Sequence, residues 1–140
     1  MWFSKKQGAQ APPVQRTTKA VGDAAEALAL AHLRAAGCKL LQTNYRTPGR
    51  GGGEIDLVML DKDGTLVFVE VRHRSSASHG GAGASISPLK QRRVVFAARY
   101  YLTRLKSLPP CRFDVVLISG ALTGDVKPSI EWLRSAFDAA

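Results

Sequence analysis

Residues 53–72 read Gly53-Glu54-Ile55-Asp56-Leu57-Val58-Met59-Leu60-Asp61-Lys62-Asp63-Gly64-Thr65-Leu66-Val67-Phe68-Val69-Glu70-Val71-Arg72. Two β-type runs, 54–60 and 65–72, flank Asp61-Lys62-Asp63-Gly64, a turn with glycine where positive φ is wanted. A three-residue loop, Lys62-Asp63-Gly64, pairs Asp61 with Thr65, so opposed residue numbers sum to 126 and Asp56 falls opposite Glu70. Opposed residues share a face with Cβ atoms about 4.5–5.5 Å apart, where like charges repel. A fold gains no stability from that arrangement. Two clustered carboxylates do suit a hard cation, Mg²⁺ or Mn²⁺, which takes one or two carboxylates plus substrate phosphate oxygens. Arg72, two residues beyond Glu70, points to the same face. Asp56, Glu70 and Arg72 thus supply what phosphodiester hydrolysis asks for: two groups to hold a metal and a cation to orient water or stabilise developing charge. A two-residue loop would separate the acids onto different faces.

Upstream, residues 39–46 form a first strand, and the Pro/Gly/Arg stretch 47–53 is expected to be a mobile loop. A helix begins at Thr17 or Thr18 and runs to Ala36, with Gly37 as its left-handed terminator. On its wheel Glu26 lines up with Gly22, Ala29, Leu30 and Leu33. A carboxylate on an apolar stripe costs several kcal/mol unless a basic partner or a cation is near.

Downstream, 75–85 is a Ser/Gly/Ala/His-rich segment long enough to be a functional loop. Ser87-Pro88 caps and opens a second helix expected to reach about Lys106. Val94, Val95, Ala98, Tyr101, Leu102 and Leu105 share one arc of it, while Arg92, Arg93, Arg99, Arg104 and Lys106 lie on the other. Residues 112–119 form a strand buried on both faces, and 130–137 a short terminal strand or helix. The order α-β-β-β-α-β describes an α/β fold, a central mixed sheet flanked by helices.

The chain has 140 residues and a formal net charge of +9, from 20 Lys+Arg against 11 Asp+Glu. That length fits one domain over 18–140 behind a flexible basic tail over 1–17. Between Glu70 and Asp114 there is no acidic residue, yet Arg72, Arg74, Lys90, Arg92, Arg93, Arg99, Arg104, Lys106 and Arg112 all fall there. Such segregation marks a polyanion partner, since each neutralised phosphate releases counterions. No apolar run approaches the roughly 20 residues of a membrane span, and Cys38 and Cys111 lack metal-site spacing. A reducing, cytoplasmic location without membrane contact is expected.

Gly22-x-x-x-Glu26, Gly53-Glu54-Ile55-Asp56-Leu57-Val58, Phe68-Val69-Glu70-Val71-Arg72-x-Arg74, Lys90 and Arg112-Phe113-Asp114-Val115-Val116 together resemble the YraN family of small bacterial proteins. That family looks like archaeal Holliday-junction resolvases and is similar to the restriction-endonuclease-like superfamily. The resemblance spans about Thr18 to Ala140. It implies a restriction-endonuclease-like core and a PD-(D/E)xK site with Asp56 as its aspartate, Glu70 as its acidic residue, Arg72 at the place of its lysine and Glu26 as a helical glutamate. A Mg²⁺- or Mn²⁺-dependent nuclease on structured or branched DNA follows, with Asp56, Glu70 and Glu26 toward the metal. DNA stands ahead of RNA, and a homodimer is implied because two strands need two sites.

Arginine cannot act as a base near neutral pH, so the Arg72 departure leaves it only orientation or charge stabilisation. It also favours the alternative of a non-catalytic nucleic-acid-binding protein on the same scaffold. A third reading is an adaptor whose basic helix docks an acidic protein. Arg74, Lys90, Arg92, Arg93 and Arg99 are the expected nucleic-acid contacts, with Lys90 also a candidate ammonium for the site. Glu54 shares a strand face with Asp56, and Gln91 meets either substrate or a strand end. Asp114 is expected in a structural ion pair with Arg112, and His32, His73 and His79 have no catalytic arrangement.

Overall fold

The computed structural model describes residues 18–75 and 86–139. The tail over 1–17, including a capping Thr17, and the 75–85 loop beyond Ser75, with His79 in it, lie outside the described residues. The elements run α1 (Thr18–Ala35), β1 (Lys39–Arg46), β2 (Glu54–Leu60), β3 (Leu66–Arg74), α2 (Pro88–Leu102), β4 (Cys111–Ser119) and β5 (Ser129–Phe137). The open terminal segment is a strand, which extends the expected order to α-β-β-β-α-β-β.

One five-stranded sheet has the order β1-β2-β3-β4-β5. Only the β3–β4 pair is parallel, because α2 carries the chain back across the sheet between them, so the sheet is mixed. The hairpin register is the expected one: Leu57 pairs with Val69, Val58 with Phe68, Met59 with Val67 and Leu60 with Leu66. Asp61 N–H donates to Thr65 O at 2.9 Å, and Gly64 takes φ +89 in the turn.

The sheet is buried on both faces. Ala25, Ala29 and Leu33 of α1 pack on Leu57, Met59, Val67, Val69, Val116 and Ile118. Their i, i+4, i+8 spacing gives one narrow line of contact. Val94, Val95, Ala97, Ala98 and Tyr101 of α2 cover Tyr45, Val58, Leu66, Phe68 and Phe113 on the other face. Phe68, fully buried, stacks on Phe113 at 5.5 Å and meets Tyr101 edge-on at 6.0 Å. Each large side chain so buried contributes about 1.5–3 kcal/mol. This is a three-layer α/β/α arrangement compatible with a restriction-endonuclease-like core.

Two local expectations are corrected. Helix α2 stops at Leu102, short of Lys106: Thr103, Arg104 and Leu105 N–H groups bond three residues back in a tightened final turn. The stretch 47–53 is tied down, since Thr47 N–H donates to Gly53 O at 3.1 Å and Gly53 N–H to Thr47 Oγ1 at 2.8 Å. A Cβ on Gly53 would lie 2.0 Å from Arg93 O, so glycine lets the loop's end seat directly on α2. Among the described residues, no helix is long and apolar enough to cross a membrane.

Candidate functional site

One step past the last paired residues, Leu57 and Val69, the β2–β3 ladder gives way to side chains. Val71 N–H donates to Asp56 Oδ2 at 2.8 Å, so the carboxylate replaces a strand carbonyl as acceptor. Asp56 and Glu70 thereby come together in a buried position, 7% and 5% exposed. Lys90 reaches in from the first turn of α2, its Nζ 3.4 Å from Glu70 Oε2. The N-terminus of that helix is fixed by Ser87, whose side chain accepts from Lys90 N–H at 3.1 Å, and by Pro88 in the first turn.

No donor reaches Glu70 Oε1, a buried oxygen without a hydrogen-bond partner. Two carboxylates cannot bond each other unaided; a shared proton or a cation must join them. Burial, then the Asp56 charge, push the Glu70 carboxyl up to about 8, while Lys90 pulls the other way. Burial also raises Asp56, opposed by the Val71 N–H and by hydrogen bonding to Glu70.

Glu26 sits half-buried at the margin of the α1 contact line rather than within it. Burial raises its carboxyl first, then the charge of Asp56. The Asn44 side chain opposes that rise by hydrogen bonding to the charged form. Asn44 takes φ +48 between the pairs Thr43–Leu57 and Tyr45–Ile55, level with Asp56. Sequence reasoning passed over this residue. Its signal was an asparagine inside a strand, a type depleted there but tolerant of left-handed backbone. Among the described residues, no group of three or more acidic, His or Cys side chains is close enough to hold one ion. Asp56 and Glu70 are brought together; Glu26 is their electrostatic neighbour.

Glu54 lies 3.7 Å from Arg46 and adds its charge to the fields at Asp56 and Glu26. Arg72 is half-buried on β3, level with Leu117 of β4. Arg74 Nε donates to Ser119 Oγ at 2.9 Å, and Arg92, Arg93 and Arg99 are exposed along α2. Gln91 Nε2 donates to Ile86 O at 3.0 Å, which fixes the approach to α2. His73 Nε2 contacts Gly120 O at 2.8 Å, and His32 packs edge-on against Trp132.

Asp114 is fully buried and satisfied: Arg112 Nε donates to both its oxygens at 3.1 Å, with Trp132 Nε1 and Ser135 N–H at 2.9 Å. Arg112 also reaches Asp61 Oδ2 at 2.8 Å. The expected Arg112–Asp114 pair is therefore part of a network tying the hairpin turn to β4 and β5.

The profile of the uncharacterised protein family UPF0102 matches residues 25–118. The chain belongs to family UPF0102. It is similar to a UPF0102 protein of Polaromonas naphthalenivorans (strain CJ2), 65% identical over 153 aligned positions with both chains covered in full. A UPF0102 protein of Polaromonas sp. (strain JS666 / ATCC BAA-500) is 61% identical, again over the full length of both. One of Paracidovorax citrulli (strain AAC00-1) is 64% identical over 123 residues, 88% of this chain and 86% of that one. The resemblance to the YraN proteins is borne out. The UPF0102 match takes in Glu26, Asp56, Glu70, Arg72 and Lys90 and ends at Ile118, before β5.

Proposed function

We propose that this protein is a metal-dependent nuclease that hydrolyses phosphodiesters in structured or branched DNA. The observation that carries the reading is the buried Asp56–Glu70 pair, in which Glu70 Oε1 is left without a donor. A buried, unsatisfied carboxylate oxygen costs about 1–3 kcal/mol or more, which a fold tolerates where a function uses it. The donor set fits Mg²⁺ or Mn²⁺: two carboxylates supply hard oxygens, and phosphate oxygens or water complete such an ion's shell. Asp56 and Glu70 would hold it. When bound, a divalent cation supplies neutralisation of phosphate charge and polarisation of the bond under attack.

The chain's own residues do the rest. Val71 N–H fixes the orientation of Asp56. Asn44 holds Glu26 beside the pair, from where its carboxylate can orient an attacking water. Lys90 places an ammonium at Glu70, suited to stabilising charge on the departing oxygen. Arg72 supplies a guanidinium positive charge on β3. Arg92, Arg93 and Arg99 supply phosphate contacts that position the strand without reading bases.

The test is nicking of a four-way junction, a flap and a plain duplex in Mg²⁺ or Mn²⁺. The expected result is metal-dependent product on branched DNA that disappears in EDTA and in Asp56→Asn. Binding without nicking under every condition would favour the second reading, a non-catalytic DNA-binding protein. One observation supports that alternative: Lys90 already gives Glu70 a cation.

A further inference from the structure

Helix α2 buries one face and leaves the opposite one uncovered, but that outer face is not simply basic. Phe96 and Tyr100, one turn apart, are 52% and 46% exposed. Arg92, Arg93 and Arg99 stand between and before them at the i, i+3 and i+4 spacings that place neighbours on a helix surface. Beside this stripe lies an open hollow of about 610 Å³ lined by Arg92, Val95, Phe96 and Arg99, with Asp138 and Ala139 at its far rim. Arg99 Nη2 is 3.3 Å from Ala139 O, which holds its guanidinium at that edge.

We propose that this face is a stacking surface for unpaired nucleotides of a DNA strand, carried by the same helix whose first turn brings Lys90 to the carboxylate pair. It rests on the preceding reading for the class of partner and adds that single-stranded nucleotides are engaged. Exposed aromatic rings gain nothing from phosphates, and arginines gain little from an apolar partner; a strand with unstacked bases satisfies both. The two exposed rings select a nucleic acid over an acidic protein, whose carboxylates would pair with the arginines but leave the rings without a stacking partner. Lys90, in the first turn of the same helix, touches Glu70. From Lys90 to Tyr100 the helix rises about 15 Å. At the other edge Arg93 opens onto a hollow lined by the glycine-rich turn and by the Arg46–Glu54 pair. A duplex keeps its bases stacked on one another and offers Phe96 and Tyr100 no ring, so the surface discriminates for single-stranded arms.

The experiment measures binding of the full chain, in EDTA so that no cleavage intervenes, to fluorescein-labelled dT20, a 20-base-pair duplex and the same duplex with a single-stranded arm. The doubly substituted F96A/Y100A should lose tenfold or more for dT20 and for the arm-bearing duplex, and little for the plain duplex. F96Y/Y100F should bind all three as the natural protein does. R92A/R99A should weaken every substrate and flatten the salt dependence. All these positions are exposed, and far-UV circular dichroism with thermal melting checks that the variants fold. Equal loss on single strand and duplex, no loss in F96A/Y100A, or displacement of dT20 by polyglutamate as readily as by unlabelled dT20 overturns the proposal. Stack-dependent binding with no nicking would refute the nuclease reading alone, whereas nicking with aromatic-independent binding would refute this inference alone.

Discussion

Replacing Glu70 by glutamine should stabilise the protein at alkaline pH, against the usual rule that polar substitutions in a core destabilise. Glu70 holds its proton up to about 8 in the folded protein against 4.5 for the ordinary group. Between those values the unfolded chain releases a proton that the native state keeps, so stability falls as pH rises through the window. At about 1.4 kcal/mol per pH unit, the loss between pH 5 and pH 8.5 is about 4 kcal/mol. Asp56 and Glu26, both raised by burial, act with the same sign from their lower ordinary values upward. Asp61 and Asp63, held low by hydrogen bonds, act only at more acid pH, and Cys38 and Cys111, raised by burial, act only above about 9. Urea unfolding at half-unit intervals from pH 5 to 8.5 without divalent metal measures the slope. The natural protein should weaken steadily, whereas Glu70→Gln should show most of that slope removed, because its amide can donate to Asp56 without losing a proton. A flat profile in the natural protein, or an equal slope in both, would refute the buried, proton-sharing pair.

Asp114→Ala should cost about 3–5 kcal/mol, since it strands Trp132 Nε1, Ser135 N–H and part of Arg112, which guanidinium unfolding would measure. Gly53→Ala should lower stability by about 1–3 kcal/mol as the added Cβ meets Arg93 O and the chain shifts away from α2, visible as a lower melting temperature. Lys90→Ala should leave the melting temperature within a few degrees, because its side chain is 36% exposed, yet reduce nicking at least tenfold; unchanged nicking would exclude the ammonium from the reaction.

Most of the sheet could be read because its strands are amphipathic or wholly apolar, and because one turn sets the register. Asp61-Lys62-Asp63-Gly64 admits a three-residue loop, and once Leu60 pairs with Leu66 every later pair is determined. What could not be read depends on contacts distant in sequence. α2 ends at Leu102 although residues 103–106 contain no strong helix breaker: Thr103 Oγ1 donates to Tyr100 O at 2.6 Å, and the Arg104 guanidinium lies over the Tyr45 and Tyr101 rings. Residues 47–53 look mobile by composition, but Thr47 and Gly53 close them with reciprocal bonds. β5 reads as strand or helix because its alternation breaks at Trp132-Leu133; in the strand the irregularity falls at Ser135, where φ is +51 and the backbone N–H turns to Asp114.

Glu70 and Asp114 show where local sequence stops short of a site. Phe68-Val69-Glu70-Val71 and Phe113-Asp114-Val115 are nearly the same pattern, one acid inside a buried β run. Both side chains are buried, on adjacent strands, with Asp114 level with Val69 and Glu70 level with Val115. By the pleat they point to opposite faces, and there their surroundings diverge. Asp114 receives Arg112, Trp132 and a backbone N–H, so its charge helps lock the sheet's far edge. Glu70 receives a lysine on one oxygen and, as its other neighbour, a second acid, which it can meet only through a shared proton or a cation. Removing the first should weaken the protein by a few kcal/mol, and removing the ionisable group of the second should strengthen it at alkaline pH. A carboxylate kept where the fold would be more stable without its charge is the physical mark of a residue retained for chemistry.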